Sequence, residues 1–132
     1  MAGTADDLQR VDLFSGLSRR QLQKLASSFR ERRFAPGHEI VRKGAMSGIG
    51  FFVLAEGDAT VSSGGKKLAT LGPGGYFGEF ALILEEERTA TVTAQTDVRC
   101  LEISFPDFRK FAHANPDVTW KLLQHVASLV RR

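Results

Sequence analysis

With one cysteine in 132 residues, the chain cannot form an internal disulfide. Cys100 stands between Val98 and Leu101 and reads as a buried strand residue suited to a reducing compartment, not as a reactive thiol. Long apolar runs are missing too. The longest, Ile49 to Ala55, falls far short of the ~20 residues that span a bilayer. Asp6 and Asp7 occupy the place where a signal peptide would need its apolar run, so no membrane segment and a cytoplasmic location are expected. Histidine is scarce: His38, His113 and His125 lie far apart, and none forms an H-x-H pair. A metal-dependent barrel enzyme of the cupin type needs clustered histidines and carboxylates, so each histidine reads as an ordinary surface or helix residue. No metal and no cofactor are expected. Neither a Ser-His-Asp set nor a Cys-His set stands in strand–turn context, so no catalysis is expected either. Excess charge of one sign is also absent. Eighteen basic against 15 acidic residues give a net charge of +3 without a broad basic field. Arg30 to Arg33 and Arg131-Arg132 read as solvated ends of elements, and direct nucleic-acid binding by this chain is not expected.

What is present is the composition of one globular domain, 42% hydrophobic and 25% charged. Leu8, Val11, Leu13, Phe14 and Leu17 form a short apolar opening. Ser18 with Gln21 then makes a capping box, and Leu22, Leu25, Ala26 and Phe29 follow at helical spacing. From Arg32 the period shortens. Glu39 to Arg42, Phe51 to Leu54, Ala59 to Ser62 and Leu68 to Leu71 are strand-length runs, divided by Pro36-Gly37, Gly44, Gly57-Asp58 and Gly64-Gly65. That spacing indicates a β-sandwich or barrel, with a tight hairpin at Gly64-Gly65. Arg88 to Ala94 and Val98 to Ile103 close the β part. Ser104 and Asp107 mark a helix start that puts Phe108, Phe111 and Ala112 on one side. Asn115-Pro116 marks a second start, an N-cap followed by proline at the first helical position. The stripe Trp120, Leu123, Val126, Ala127 and Val130 on that last helix is expected to pack into the core.

The most unusual stretch is Gly72 to Val92. Gly72, Gly74, Gly75 and Gly78 around Pro73 permit backbone angles that let N–H groups line a concavity, and a helix opening at Glu79 would offer unbonded N–H groups to an anion. Of all the ionisable residues, Glu79 and Arg88 are the two set among apolar or small neighbours. Arg88, Ala90, Val92 and Ala94 share one strand face, while Thr89, Thr91 and Thr93 share the other. An arginine on an apolar face needs a partner. That partner is either Glu79 in an internal salt bridge or a phosphate, whose oxygens match the guanidinium fork. In the second case Glu79 is free for a sugar hydroxyl.

The order Phe77-Gly78-Glu79, Ala81-Leu82, then Arg88-Thr89-Ala90-Thr91-Val92 resembles the phosphate-binding cassette of cyclic nucleotide-binding domains, as found in catabolite activators, protein kinase A regulatory subunits and nucleotide-gated channels. PGHEIVRKG and FFVLAEGDATV resemble early strands of the same fold, so the likeness covers about 14–130. It implies an α+β, mainly β architecture: an eight-stranded antiparallel β-roll of the jelly-roll-like, double-stranded β-helix kind, with N-terminal helices and two C-terminal helices. The implied layout is one domain over 1–132, with a helical lead-in at 1–30, the roll at 31–104 including a cassette at 76–92, and hinge and lid helices at 105–132. It further implies that Glu79 accepts from the ribose 2′-hydroxyl, Arg88 pairs with the cyclic phosphate, and backbone N–H groups around Phe80, Ala81 and Thr89 assist. Gly78 would let the ribose approach, Phe77 and Ala90 would be ligand-binding members of the cassette, and Val61 and Leu68 would wall the base. The last helix would then act as a lid over the purine.

The resemblance thus implies a non-catalytic sensor of cAMP or cGMP acting on an effector protein, fused or separate. Thr89 stands where catabolite activators carry serine, which leaves the purine open. Two alternatives are the sensor half of a catabolite-activator-type transcription regulator, there being no room after Arg132 for a helix-turn-helix, and an adaptor with a vestigial cassette. Intact Glu79 and Arg88 argue against the adaptor.

Overall fold

The computed structural model of the chain describes residues 4–42, 44, 50–79 and 90–130. It opens with α1 (Thr4–Gln9), a 3-10 turn at Asp12–Phe14, and α2 (Arg19–Ala26). α2 starts on the expected capping box. Ser18 Oγ accepts from the Gln21 N–H at 3.1 Å, and Gln21 Oε1 accepts from the Ser18 N–H at 2.8 Å.

Eight strands follow among the described residues: β1 (Arg30–Phe34), β2 (Glu39–Val41), β3 (Gly50–Glu56), β4 (Ala59–Ser63), β5 (Lys66–Leu71), β6 (Tyr76–Phe77), β7 (Thr91–Ala94) and β8 (Val98–Ser104). They form two antiparallel four-stranded sheets, ordered β1-β8-β3-β6 and β2-β7-β4-β5. This is the expected roll. At the β4–β5 hairpin, Gly64 and Gly65 have φ of +60° and +80°, the left-handed pair that a two-residue turn requires. The strand expected from Arg88 begins instead at Thr91, with Ala90 in a bend and Arg88 and Thr89 outside the described residues. Its parity holds where it is seen, since Val92 and Ala94 are buried while Thr91 and Thr93 are half-exposed.

The middle of the first sheet, β3 and β8, is a wall buried on both faces. In β3 and β8, Phe52, Leu54, Val98 and Cys100 point into the roll with Ile40, Val41, Ala59, Phe77, Val92 and Ala94. Phe51, Val53, Leu101 and Ile103 point the other way, into a layer made by the helices. There they meet Leu8, Phe14, Leu22, Phe108, Val118 and Leu122. Fully burying a side chain of this size contributes ~1.5–3 kcal/mol, so each compartment is a substantial core. Two glycines end β3 where the backbones crowd. A Cβ on Gly50 would lie 2.1 Å from the Ile103 carbonyl oxygen, and one on Gly57, at φ +90°, 2.2 Å from that of Asp97.

Two helices close the chain, α3 (Phe105–Ala114) and α4 (Pro116–Val130). Ser104 caps α3, its Oγ accepting from the Asp107 N–H at 3.2 Å. Asn115 stands where expected, just before Pro116, with its carbonyl accepting from the Val118 N–H at 3.0 Å, but its side chain donates back to the Phe111 carbonyl at 2.9 Å and so closes α3. The face of α4 is a correction. Trp120 and Leu123 are 61% and 54% exposed, and Val118 and Leu122 are buried in their place. Both pairs recur at helical spacing, and the contacts with the 3-10 turn decide between them: Lys121 Nζ donates to Ser15 Oγ at 2.8 Å, which fixes the rotation of the helix. Among the described residues no helix is long and apolar enough to cross a membrane.

Buried charge is also more widespread than the sequence suggests. Besides Glu79, the side chains of Asp7, Arg99 and Glu102 are buried. Arg99 holds Asp7 with both terminal nitrogens, at 2.9 and 3.2 Å, and also pairs with Glu31 and Glu56. The bidentate bond to Asp7 raises the Arg99 pKa still further above its ordinary value. Glu102 accepts from Arg30 at 2.8 Å and Arg32 at 3.0 Å. The Arg30–Arg33 cluster is therefore the strand β1: Arg30 and Arg33 are exposed as the sequence suggests, while Arg30 and Arg32 also pair with a buried carboxylate.

Candidate functional site

The site is built where β6 leaves the first sheet. Phe77 points into the roll and stacks on Phe52, ring centroids 5.0 Å apart and planes 5° from parallel. Tyr76, its neighbour on the opposite face, packs on Phe51 at 5.4 Å. This alternation pins β6 between the two cores. Gly78 then takes φ +102°, a left-handed angle costly for any residue with a Cβ, and the chain turns to place Glu79.

Glu79 is 8% exposed. Burial raises the pKa of its carboxyl, opposed by His125 and by hydrogen bonds from the backbone of Glu79 and Gly78. Its Oε2 lies 3.0 Å from His125 Nε2, contributed by α4 from 46 residues further along the chain. His125 also sets its ring 4.9 Å from that of Tyr76. The Tyr76 hydroxyl, pushed up to about 12 by burial and then by the negative charges of Glu79 and Asp12, stays protonated and able to donate. His125 is thus not the ordinary helix histidine that its sequence surroundings suggest. An aromatic immediately before the Phe77-Gly78-Glu79 order gives no hint of a partner so far away, and the one signal is position: His125 lies one turn beyond Leu122 on the buried side of α4.

The remaining candidates fall into three groups. Ala90 is half-buried in the bend before β7. Val61 of β4 is half-buried against the roll interior and pairs with Ala69. Leu68 is exposed, at 57%, as are its neighbours on the edge strand β5, and it is the extra residue where the β4–β5 pairing passes from Val61↔Ala69 to Ser62↔Lys67. Phe80, Ala81, Arg88 and Thr89 lie outside the described residues. A separate groove of about 430 Å³ runs between α2 and α3, floored by Leu25 and Phe111 and flanked by Lys24 and Lys110; none of the candidate residues lines it. Among the described residues no group of three or more His, Cys, Asp or Glu side chains is placed to hold a metal ion.

A buried carboxylate with a raised pKa makes a testable demand on stability. Its charged form costs folding free energy. The stability it contributes is complete below the pKa of an unfolded glutamate and is lost as pH rises through the higher folded value. Glu79→Gln is therefore expected to raise the ligand-free unfolding midpoint at pH 8 by a few degrees, equivalent to ~1 kcal/mol, and to flatten its dependence on pH. Thermal unfolding of both proteins at pH 5 and pH 8 checks this. A lower midpoint for the variant at pH 8 would mean that the ionised carboxylate is fully compensated.

Comparison with known proteins points the same way as the geometry. A cGMP-dependent protein kinase of Eimeria tenella is 38% identical over 88 residues, 67% of this chain and 9% of the kinase. The catabolite activator protein of Thermus thermophilus superposes with a TM-score of 0.82 at 29% identity, over 90% of this chain and 58% of that one. The regulatory domain of Toxoplasma gondii PKA, solved with cAMP, superposes with a TM-score of 0.81 at 28% identity, over 95% of this chain and 48% of that one. The chain thus spans a small part of the kinase and about half of each solved relative. The family model for the cyclic nucleotide-binding domain matches residues 31–115, which hold all eight strands but the first residue of β1 and reach through the turn after α3. On that match, and on a roll that buries a glutamate behind Gly78, this chain belongs to the cyclic nucleotide-binding domain family.

Proposed function

We propose that the chain is a cyclic nucleotide sensor that performs no catalysis itself and passes its state to an effector, fused or separate. The observation that carries this reading is the buried Glu79 carboxylate, set by the left-handed turn at Gly78 on the rim of the roll. A carboxylate so placed is costly to keep unless it has a hydrogen-bond donor to receive. His125 Nε2, 3.0 Å away, is one such donor, and a ribose 2′-hydroxyl is another. Arg88 takes the cyclic phosphate, assisted by backbone N–H groups around Phe80, Ala81 and Thr89. Gly78 leaves space for the sugar, Phe77 and Ala90 support the two ends of the cassette, and Val61 and Leu68 meet the base. Leu68 is apt for this, since the edge strand β5 presents it to solvent as an exposed apolar side chain. The sensor unit is the whole of 1–132, with the cassette at 76–92. A ligand that binds two arrangements of the flanking helices unequally shifts their balance, and the effect is reciprocal. The single thiol, Cys100, is fully buried and pushed up to about 12 by that burial, which fits a reducing, cytoplasmic setting and assigns the thiol no chemistry.

Thermal unfolding with and without nucleotide tests the reading. A ligand at about 100 times its Kd stabilises by ~2.7 kcal/mol, which for a domain of this size raises the midpoint by on the order of 10 °C. Such a shift is expected with cAMP or cGMP, and none with 5′-AMP, whose phosphate is open. The larger of the two shifts ranks the purines. No shift with either cyclic nucleotide would leave the adaptor with a vestigial cassette as the better account.

A further inference from the structure

The groove between α2 and α3 takes no part in the sensor site, and its walls select for one kind of occupant. The floor is apolar and rigidly held. Phe111 sets its ring edge-on to Phe14 at 6.1 Å and to Phe108 at 6.2 Å, and Leu25 belongs to the same helical core. Exposed Ala114 extends that floor toward solvent. A hollow of about 430 Å³ over such a floor has room for large apolar side chains. Polar groups around it are already engaged. Gln21 Nε2 donates to Asn115 Oδ1 at 3.5 Å, Asn115 Nδ2 to the Phe111 carbonyl at 2.9 Å, and Ser27 Oγ to the Lys24 carbonyl at 2.6 Å. Both walls are helices, whose interior N–H and C=O groups bond within the helix and offer no edge to an extended peptide. An occupant must therefore satisfy its own backbone, as a helix does.

Charge narrows the choice. Lys24 stands on one wall and Lys110 on the other, against one carboxylate, Asp107. Among the described residues neither lysine forms a salt bridge, whereas Arg19, Arg30, Arg32, Arg33, Arg42 and Arg99 all do. Arg20, one turn before Lys24 on α2, adds a third positive charge on that side. We infer that the α2–α3 groove docks a short, acidic, amphipathic helix of a partner protein. From Gln21 to Ser28 the groove runs ~10 Å, enough for two apolar anchors one helical turn apart. One anchor enters over Phe111 and Ala114, the second lies along Leu25, and carboxylates beside the apolar stripe meet Lys24 and Lys110. None of this depends on the role of Glu79.

The test uses the full chain and three fluorescein-labelled helical peptides, read by fluorescence anisotropy. The acidic probe carries leucine along one face and glutamate and alanine elsewhere. A basic probe has lysine for every glutamate, and a third has alanine for every leucine. The acidic probe is expected to bind roughly tenfold more tightly than the basic one, with an affinity that falls as salt is raised. The probe without leucine is expected not to bind. Lys24→Glu/Lys110→Glu is expected to invert the preference between the acidic and basic probes. Ala114→Phe, which fills the groove and leaves its charge alone, is expected to lose both. Circular dichroism and the unfolding midpoint verify that the variants are folded. Equal affinity for the acidic and basic probes, or no binding of the acidic one, would overturn the docking site. Undiminished acidic binding by either variant would overturn it too. Self-association of the chain in sedimentation, abolished by Ala114→Phe, would give the groove to a second copy instead, and laurate that excludes the acidic probe would give it to an acyl chain. Each of these results leaves the nucleotide reading standing.

Discussion

Arg88→Ala is expected to weaken cyclic nucleotide binding at least a hundredfold while leaving the ligand-free fold intact. The argument is electrostatic. A cyclic phosphate carries one permanent negative charge, and transfer into a site walled by apolar side chains strips it of water. In the proposed role the Arg88 guanidinium would meet two phosphate oxygens at once, with donors in a fixed plane. Removing one partner of a buried, hydrogen-bonded charge pair costs ~2–5 kcal/mol, and ~2.7 kcal/mol is already a hundredfold in Kd. The residue is chosen by type and by its place in the Arg88-Thr89-Ala90-Thr91-Val92 order. Arg88→Lys separates charge from geometry: it keeps the cation, loses the fork, and is expected to bind with intermediate affinity. Calorimetric titration of the three proteins checks both statements, and undiminished binding by Arg88→Ala would sink the site assignment.

The second large effect concerns stability. Arg99→Ala is expected to destabilise the fold by ~3–5 kcal/mol and to lower the unfolding midpoint by on the order of 10 °C, because it leaves Asp7 buried without a counter-charge. Asp7 is 3% exposed and receives two bonds from Arg99. Its backbone belongs to α1, so the pair clamps the start of the chain onto β8. Asp7→Ala is expected to cost less, since Arg99 keeps Glu31 and Glu56, both well exposed and able to move toward it. The double variant is expected to be more stable than Arg99→Ala alone, as no unpaired charge then remains. Denaturant unfolding of the three variants gives the ordering. A loss below about 1 kcal/mol for Arg99→Ala would show that Asp7 finds water or a new partner.

Which features the sequence disclosed follows from the range over which each is determined. The capping box at Ser18, the hairpin at Gly64-Gly65 and the cap at Ser104 are settled within three or four residues, and the structure has them where the sequence puts them. The cassette rests on a different ground: most of it lies outside the described residues, and it is read from an order of residue types that resembles that of cyclic nucleotide-binding domains. What was illegible is long in range. Asp7 and Arg99 are 92 residues apart, and Glu79 and His125 are 46. Arg99 does interrupt the apolar run from Val98 to Ile103, which signals a buried charge but not its partner. The last helix failed in another way. Trp120 and Leu123 make as good a stripe as Val118 and Leu122, and periodicity cannot choose between two apolar faces on one helix.

A strand that is buried on both faces and, like β3, apolar along nearly all its length carries a hazard that β8, interrupted by Arg99 and Glu102, avoids. Strands with one wet face resist sliding, because a shift by one residue would send every apolar side chain into water. β3 has no such protection. Sliding it by one position along β8 would exchange Phe51 and Val53 with Phe52 and Leu54, oil for oil, and both compartments would still be filled. Hydrophobicity is degenerate over this strand. The glycines at its ends are not: the gaps beside the Ile103 and Asp97 carbonyls admit a hydrogen and no carbon, so a slip in either direction drives a side chain into backbone. Gly50 and Gly57 are in this sense the two stops of a ruler, and the alignment of the wall, with Phe77 and Glu79 registered against it through β6, is held by what those two residues lack.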